Sequence, residues 1–397
     1  SCLYRLSLSL RHFLYHFGLF HRHRLPVPVI SVGNLTWGGN GKTPMVEFIS
    51  RFLCDSGIVP LILTRGYAGG DEVRMLRRKL LGTPTKIGIG AKRVAVATHF
   101  IDTYGYVNPQ KRSCINGACG HAEGIGAIVL DDGMQHLSLW RDVEIVMVNG
   151  MMPWGNHHLI PLGPLREHLT ALQKADIAII HHADLISKAN LGAIVTTLQS
   201  YHATLPVFFS TMAPSHFFLF GDENSKITLK IIENRVVLCV SAIGFPDAFV
   251  KGIEKMGPLH VDRLDFIDHH SFRDKDIEMI IGRLEMLESK FNSKPFLVVT
   301  EKDYDRDSEI FTHVAPFDVL ILRSQLQIIT QNGQTAITFQ NLLMDHLGIK
   351  LSGICQTSLE FPYHPDTSFM HSALTVLVWR CGQLALLMFP DGGRKGH

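Results

Sequence analysis

The chain lacks several features that would assign it to a special class of protein. Its 397 residues include only seven cysteines, an odd number scattered from Cys2 to Cys381, which argues against a disulfide framework and for a reducing compartment. No internal repeat is visible. The mostly apolar stretch Ala373–Pro390 is interrupted by Arg380 and is slightly shorter than the roughly 20 residues of a membrane-spanning helix. A formal net charge of only +2 gives no strongly basic balance, so no nucleic-acid partner is expected.

The beginning of the chain lacks acidic residues, the first of which is Glu47. The first 24 positions carry four arginines and four histidines, with apolar side chains at helical spacing. These apolar residues are Leu3, Leu6, Leu10, Phe13, Leu14, Phe17 and Phe20. A basic amphipathic helix of this kind can lie in a membrane interface. An organelle transit peptide and a surface helix packed on the protein are the alternatives.

What the chain does contain is material for a large core, since 46% of its residues are hydrophobic and 19% are charged. At about 150 residues per domain, the length favours two domains. We predict an N-terminal segment at 1–24, a nucleotide-binding domain at 25–200, a second α/β domain at 235–350 and a divergent tail at 351–397.

Buried-strand patterns alternate with amphipathic-helix patterns along both halves, which predicts an α/β fold of parallel sheets with flanking helices. In the first half we predict strands at Val27–Val32, Val59–Leu63, Thr85–Ile89, Ala127–Leu130, Val143–Val148 and Ile177–Ile180, and helices at Met45–Ser56, Glu72–Leu81 and Lys92–Asp102. In the second half we predict strands at Val236–Val240, Phe296–Val299 and Val319–Leu322, and helices at Pro246–Lys255, Lys275–Lys290 and Ala336–Leu347. The intervening stretch Thr204–Lys230 is richer in turns and short β-like segments, so we expect the domain boundary there.

A glycine-rich turn lies between the first apolar run and the first helical pattern. Its candidate nucleotide-binding residues are Thr36, Gly38, Gly39, Asn40, Gly41, Lys42 and Thr43. Glycines let the backbone curl with its N–H groups facing anionic oxygens at a helix N-terminus. Lys42 is then placed to reach the β- and γ-phosphates, and the Thr43 hydroxyl to reach Mg²⁺. The turn departs from the Walker A spacing because Thr36 occupies the first glycine position. A plain hairpin turn is the alternative.

A second strand, Ala127–Leu130, ends in Asp131, Asp132 and Gly133. A continuous apolar run is typical of a strand buried on both faces, and open α/β sheets bind ligands at the carboxyl ends of such strands. We therefore predict a Walker B arrangement in which one or both aspartates bind Mg²⁺. An acidic turn after a core strand is the alternative.

Between 105 and 126, the group Cys114, Cys119 and His121 shows no fourth ligand, so no zinc site is expected there.

Further motifs accompany these two in a fixed order over about residues 25–350, and together they resemble the tetraacyldisaccharide 4'-kinase family. The motifs are Pro28–Thr36 with the Gly-Gly-Asn-Gly-Lys-Thr-Pro turn, Thr64–Tyr67, Gly70–Glu72, Asp131–His136, Arg141-Asp142, Pro161–Glu167, Asp268-His269 and Thr300–Asp303. The resemblance implies a P-loop kinase that uses ATP and Mg²⁺ to phosphorylate the 4'-hydroxyl of a glycolipid acceptor, tetraacyl disaccharide 1-phosphate.

The resemblance also implies roles for residues outside the two nucleotide motifs. Asp71 matches the family aspartate thought to deprotonate the acceptor hydroxyl, and His269 matches the histidine paired with it, so the predicted catalytic residues are Lys42, Asp71 and His269. Glu167 matches a further carboxylate that binds the metal or orients the acceptor, which makes the predicted metal-binding set Thr43, Asp131, Asp132 and Glu167. His270 is the competitor of His269, and Arg166 is available for a phosphate or developing charge. Because Asp71 and His269 are far apart in sequence, the second domain must fold back over the nucleotide.

The loop before Asp71 departs from the family, because Gly70 follows Tyr67 almost at once and Val73 replaces a proline. Such shortening could move Asp71 away from the γ-phosphate, so a non-catalytic membrane-bound homologue is one alternative. A P-loop GTPase is another, because Thr300–Asp303 is similar to a guanine-reading turn. We expect a membrane-associated protein, located in the mitochondrion if eukaryotic and otherwise on the cytoplasmic face of a bacterial inner membrane.

Overall fold

The computed structural model describes residues 2–66, 70–111 and 124–349, which fall within one compact unit. The predicted tail at 351–397, with Ala373–Pro390, lies outside the described residues. The same is true of Tyr67 and of the group Cys114, Cys119 and His121.

Helices and strands alternate along both halves of the described chain. In the first half they are α1 (Cys2–His16), β1 (Val29–Asn34), α2 (Lys42–Asp55), β2 (Val59–Thr64), α3 (Asp71–Lys79), β3 (Lys86–Ile89), α4 (Arg93–Tyr104), β4 (Ile125–Asp131), β5 (Val143–Asn149), β6 (Ile177–His181) and α5 (Lys188–Tyr201). They continue with β7 (Val207–Leu219), β8 (Asp222–Ile227), β9 (Val236–Ser241), α6 (Pro246–Glu254), β10 (His260–Asp265), α7 (Asp274–Phe291), β11 (Phe296–Thr300), α8 (Glu301–Asp307), β12 (Val319–Ile328) and α9 (Ala336–His346).

All twelve of these strands belong to one sheet, in the order β10-β9-β11-β12-β7-β6-β5-β1-β4-β2-β3, with β8 paired to β7. Neighbouring strands are parallel except at the β12–β7 and β7–β8 pairs. The predicted α/β class with mostly parallel strands and flanking helices is confirmed. The two halves share this sheet through the antiparallel β7–β12 pair, and the domain bounds 25–200 and 235–350 stay a prediction.

The central strands are buried because their sequences are apolar on both faces. Every residue of β1, β4, β5 and β9 is buried. One face of α2 covers the sheet with Met45, Val46, Ile49 and Leu53, all of them inaccessible to solvent. Strand β1 lies between β4 and β5, at the point where successive strands are added on opposite sides of β1. Open α/β sheets usually bind their ligands at the carboxyl ends of the strands at such a point, which is where the chain leaves β1.

The stretch Thr204–Lys230 contains the 13-residue strand β7 rather than only short segments. Its first four residues are buried beside β6, and the rest is more exposed and pairs with β12. Hydrophobic periodicity does not predict this strand, because its burial pattern changes along its length and Pro214 lies inside it. Its pairing with β12 is also irregular, with a register shift between Arg323 and Ser324. Three further elements, α5, α8 and the polar, half-buried β10, lie where no element is predicted.

A buried group of charges joins α3 of the first half to α8 of the second. Glu301 accepts from Lys79 Nζ and Arg78 Nη2, each at 2.9 Å, and Asp305 accepts from Arg78 Nε at 2.8 Å. Lys79 is also 3.4 Å from a Glu47 oxygen on α2. Burial alone would raise the pKa of Glu301, but Lys79 and Arg78 hold it below its ordinary value. These ion pairs fix α3 against α8.

Replacing Glu301 by alanine should destabilise the protein, because it removes the buried carboxylate that Lys79 and Arg78 share and leaves each with one remaining carboxylate partner, Glu47 and Asp305 respectively. Breaking a buried pair in this way costs about 3–5 kcal/mol. Urea unfolding should therefore show a clear loss of stability in Glu301→Ala, whereas the exposed control Glu309→Ala should stay within about 0.5 kcal/mol of the unaltered protein. Equal stabilities of the two variants would show that the α3–α8 ion pairs contribute nothing.

Candidate active site

The glycine-rich turn closes at Gly41, whose φ of 77° lies in the left-handed region and which caps the N-terminus of α2. A Cβ atom at this position would lie 2.5 Å from the imidazole ring of His181, so only glycine fits. The buried His181 ring is held by the Ser210 hydroxyl at 2.9 Å. The N-terminal turn of α2 thus faces the site with Lys42 and Thr43 as its first residues.

Thr36 and Asn40 brace the turn from inside. The Asn40 amide lies 3.1 Å from the Thr36 hydroxyl and 3.2 Å from the Gly38 carbonyl oxygen, while the Asn149 amide donates to the Gly39 carbonyl at 3.2 Å. The threonine that replaces the first Walker A glycine is therefore a hydrogen-bonding partner within the loop.

The end of β4 meets the start of α2. The Thr43 hydroxyl donates to Asp131 Oδ2 at 3.2 Å, and Lys42 Nζ lies 3.6 Å from Asp132 Oδ1. Arg166 donates to both carboxylate oxygens of Asp132, from Nη1 to Oδ2 at 2.9 Å and from Nη2 to Oδ1 at 2.7 Å. The structure thus brings together the predicted phosphate-binding lysine, the predicted metal-binding threonine and both aspartates.

The pKa values of the two aspartates are shifted in opposite directions. Burial and the nearby charge of Glu72 raise the pKa of Asp131 to about 7, although Lys42 opposes the shift. Burial also acts against ionisation of Asp132, but Arg166 and Lys42 outweigh it and hold the pKa of that carboxyl well below its usual range. Among the described residues, Asp131 Oδ1 is buried without a hydrogen-bond partner. An unpaired carboxylate oxygen beside a threonine hydroxyl fits a hard cation such as Mg²⁺.

Glu167, the fourth predicted metal ligand, lies against α1. Its Oε2 atom is 3.1 Å from His12 Nε2, and the neighbouring Arg166 carbonyl accepts from the Tyr4 hydroxyl at 2.8 Å. Within the described parts of the chain, no cluster of three or more His, Cys, Asp and Glu side chains is arranged around a metal position. The role of Glu167 as a metal ligand stays a prediction.

Asp71 and His269 are in direct contact although 198 positions separate them. Asp71 is the first residue of α3 and is completely buried; His269, with φ at 63°, places its Nδ1 atom 3.0 Å from Asp71 Oδ2. The shorter loop before α3 therefore leaves Asp71 beside His269. The competitor His270 instead bonds Asp276 at the start of α7 through Nε2, at 2.8 Å.

Two cations of α8 adjoin this pair, and sequence reasoning assigns a role to neither. Arg306 donates to Asp71 Oδ2 from Nε at 3.1 Å and from Nη2 at 2.9 Å, while Lys302 Nζ is 3.3 Å from Asp268 Oδ1. Burial alone would raise the pKa of Asp71, but Lys302, Arg306 and His269 lower it. The three-residue spacing between Asp303 and Arg306 predicts an ion pair on one helix face. It gives no sign of the contact between Arg306 and Asp71, which are 235 positions apart.

Asp303 bears on the GTPase alternative. Its side chain is fully buried, and its oxygens accept from the Thr300 hydroxyl at 2.6 Å, the Ala242 N–H at 3.0 Å and Arg306 Nη1 at 3.0 Å. An aspartate that reads guanine must present its carboxylate to the base. Asp303 is used inside the fold, so the motif Thr300–Asp303 gives no support to guanine recognition.

Comparison with known proteins shows which family the chain belongs to. The chain is 53% identical over 356 residues to an Arabidopsis thaliana protein named "Probable tetraacyldisaccharide 4'-kinase, mitochondrial", covering 88% of this chain and 90% of that one. It is 30% identical over 375 residues to the tetraacyldisaccharide 4'-kinase of Syntrophus aciditrophicus, covering 87% and 91%.

A solved LpxK structure from Aquifex aeolicus, in complex with ATP, shares the fold with a TM-score of 0.56 at 21% identity, covering 87% of this chain and 97% of that one. The family model for tetraacyldisaccharide-1-P 4'-kinase matches residues 1–343. The chain therefore belongs to the tetraacyldisaccharide-1-P 4'-kinase family.

Proposed function

We propose that this protein transfers the γ-phosphoryl group of ATP to the 4'-hydroxyl of tetraacyl disaccharide 1-phosphate, a step of lipid A biosynthesis. The observation that carries the proposal is the bonded Asp71–His269 pair beside a P-loop. The turn that carries His269 lies close to the cradle, because a Cβ atom on Gly244 would be 2.6 Å from the Gly39 nitrogen and 2.9 Å from Asp268 Oδ2. The acid–base pair and the phosphate cradle therefore form one site.

Phosphoryl transfer requires positioning and charge neutralisation rather than covalent chemistry by the protein. The backbone of 38–43 and the Lys42 ammonium hold the β- and γ-phosphates. Arg166, anchored on Asp132, adds a fixed positive charge at the same edge of the sheet. Thr43, Asp131 and Asp132 would hold Mg²⁺, with Glu167 as a further carboxylate. When bound, this ion neutralises charge that accumulates on the phosphate oxygens.

The Asp71–His269 pair takes the proton of the acceptor hydroxyl. About a quarter of the His269 side chain is exposed, whereas Asp71 is fully buried. The imidazole is thus the member that faces solvent. With Nδ1–H donated to Asp71, Nε2 is left as the proton-accepting atom, and the carboxylate stabilises the imidazolium that forms. The base is therefore the pair rather than Asp71 alone.

Helix α1 supports a membrane contact for the lipid acceptor. Its outer side exposes large apolar residues, with Leu6 at 65%, Phe13 at 51% and Phe17, just beyond the helix, at 63% exposure. No helix in the described ranges has the length and apolar content to cross a bilayer. The family match includes residues 1–24, which supports an in-plane amphipathic helix over a targeting segment alone.

We place the protein in the mitochondrion, at a membrane surface. The support is the 53% identity to the Arabidopsis protein whose name gives that location, against 30% for the Syntrophus aciditrophicus kinase. The cytoplasmic face of a bacterial inner membrane is the location that this difference disfavours.

The direct test of the proposed function is incubation with ³²P-labelled ATP, Mg²⁺ and tetraacyl disaccharide 1-phosphate, followed by separation of the lipid product. The protein should label the lipid, and Lys42→Met should not, because it loses the cation that holds the transferring phosphate. The exposed control Lys188→Met should label it normally. An unlabelled lipid with the folded, unaltered protein would contradict the proposal.

Asp71→Asn should lower kcat by roughly 10²–10⁴-fold with nearly unchanged ATP affinity, since the pair acts in proton transfer and not in nucleotide binding. His269→Ala should produce a similar loss. The double variant should be hardly worse than either single variant, because residues that act as one unit are non-additive. Fully additive losses would indicate independent roles for the two residues.

The affinity for Mg²⁺–ATP should depend on pH through Asp131. Its pKa of about 7 means that a proton must leave before the carboxylate can bind a cation, so affinity should rise as the pH passes upward through about 7. Calorimetry at pH 6, 7 and 8 should show this rise and proton release on binding. Asp131→Asn should bind weakly with a flat profile, and an equally flat profile in the unaltered protein would contradict the assignment.

Replacing Leu6 and Phe13 together by glutamine should weaken binding to anionic vesicles, because each exposed apolar side chain contributes about 1.5 kcal/mol or more when buried. The partition coefficient measured by sedimentation with vesicles should fall by at least about tenfold. A matched control replaces Leu81 and Leu259, which lie outside α1 and are at least as exposed as Leu6 and Phe13, respectively. Unchanged sedimentation of the α1 variant would assign α1 to targeting or packing.

A further inference from the structure

Arg306 occupies an unusual position between the two halves of the site. It lies on α8, and only 3% of its side chain is exposed. Its guanidinium donates to Asp71 Oδ2 through Nε and Nη2, at 3.1 and 2.9 Å, and to Asp303 Oδ1 through Nη1 at 3.0 Å. One buried cation is therefore shared by two fully buried carboxylates.

The same guanidinium also reaches the backbone on which His269 is carried. Arg306 Nη1 donates to the His270 carbonyl oxygen at 3.2 Å, directly after His269. The His269 N–H is in turn bonded to the Ala242 carbonyl at 3.2 Å. Because His269 adopts a left-handed φ of 63°, its ring direction depends on how this turn is held. Arg306 thus contacts the carboxylate of one member of the pair and the backbone beside the other.

Asp303 prevents the guanidinium from moving. Its carboxylate is bound by the Thr300 hydroxyl at 2.6 Å and by the Ala242 N–H at 3.0 Å, in addition to Arg306. Asp71 Oδ1 is likewise occupied by the Glu72 N–H at 2.8 Å. With both ends of the guanidinium bonded to fixed carboxylates, the Asp71 side chain has one orientation. In that orientation Oδ2 faces His269 Nδ1.

We propose that Arg306 is a positioning residue for phosphoryl transfer, holding the Asp71 carboxylate and the His269 turn in the geometry that directs His269 Nε2 toward the acceptor hydroxyl. The proposal rests on the proposed function of the Asp71–His269 pair. Because only 3% of its side chain is exposed, Arg306 acts through Asp71 and the His269 turn. A two-point donor is required for this task, which a lysine ammonium performs only as a point charge.

Removing the Arg306 charge should alter how the pair titrates. Asp71 is faced by His269, by Lys302 and Arg306 of α8, and by its neighbour Glu72; His269 is also faced by Asp268 and Lys302. Without Arg306, the Asp71 carboxylate loses one of the cations that stabilise its ionised form. This loss raises the pH below which Asp71 is protonated. The acidic limb of the kcat profile should therefore move to higher pH.

The test compares Arg306→Met, Arg306→Lys and the unaltered full-length protein by pH-dependent kcat, by KM for ATP and by thermal unfolding. We expect Arg306→Met to lose about 10²-fold in kcat, with its acidic limb at higher pH and KM for ATP within about twofold. Arg306→Lys should keep the acidic limb closer to that of the unaltered protein, because the charge remains, and still lose kcat about tenfold through the lost two-point contact.

The matched control is Arg78→Lys, which alters another partly buried arginine of the α3–α8 contact without touching Asp71 or His269. It should lower the unfolding temperature and leave the kcat profile in place. An Arg306→Lys protein with unchanged kcat and pH profile would overturn the proposal, even if Arg306→Met fails to fold. An active Asp71→Asn would instead contradict the proposed function itself, so the two failures are distinguishable.

Discussion

The candidate site depends on one buried negative charge, the carboxylate of Asp71. A carboxylate removed from water is costly unless cations and N–H donors surround it. Here those partners are His269 and Arg306, which lie 198 and 235 positions away along the chain. Asp71 can therefore be ionised and fixed only when the second half of the chain is folded against the first. The ion pairs between α3 and α8 maintain this contact, so packing between the halves and chemistry at the site have the same structural basis.

The continuous sheet explains how the other parts of the site meet. Strand β1 lies between β4 and β5, and the cradle that follows β1 faces Asp131 at the carboxyl end of β4. The antiparallel β7–β12 pair then joins the strands that carry α8 and the His269 turn to the same sheet. The glycine-rich turn, the two aspartates and the Asp71–His269 pair are consequently carried by one sheet. Helix α1 connects the Arg166–Glu167 segment to an exposed apolar surface.

Sequence reasoning predicts the parts of this arrangement that local patterns encode. Continuous apolar runs predict the buried strands β1, β4 and β9, and the Gly-Lys-Thr turn predicts the cradle. Strand β7 is not predicted, because its first residues are buried on both faces whereas later residues are partly exposed, and Pro214 interrupts the pattern. Arg306 escapes because its significance comes from a contact that no local spacing encodes. The pairing of Asp71 with His269 is expected only through family resemblance, since the local sequence around each residue does not indicate its partner.

The central claim is that Asp71 and His269 form one hydrogen-bonded unit, and the most direct measurement is imidazole N–H NMR on protein labelled with ¹⁵N-histidine. The resonance that disappears in His269→Gln identifies the His269 proton. In the unaltered protein this Nδ1–H proton should be protected from exchange and shifted downfield by the carboxylate, and in Asp71→Asn it should lose most of that shift. A His269 proton that exchanges freely, or whose shift is unchanged in Asp71→Asn, would contradict the account.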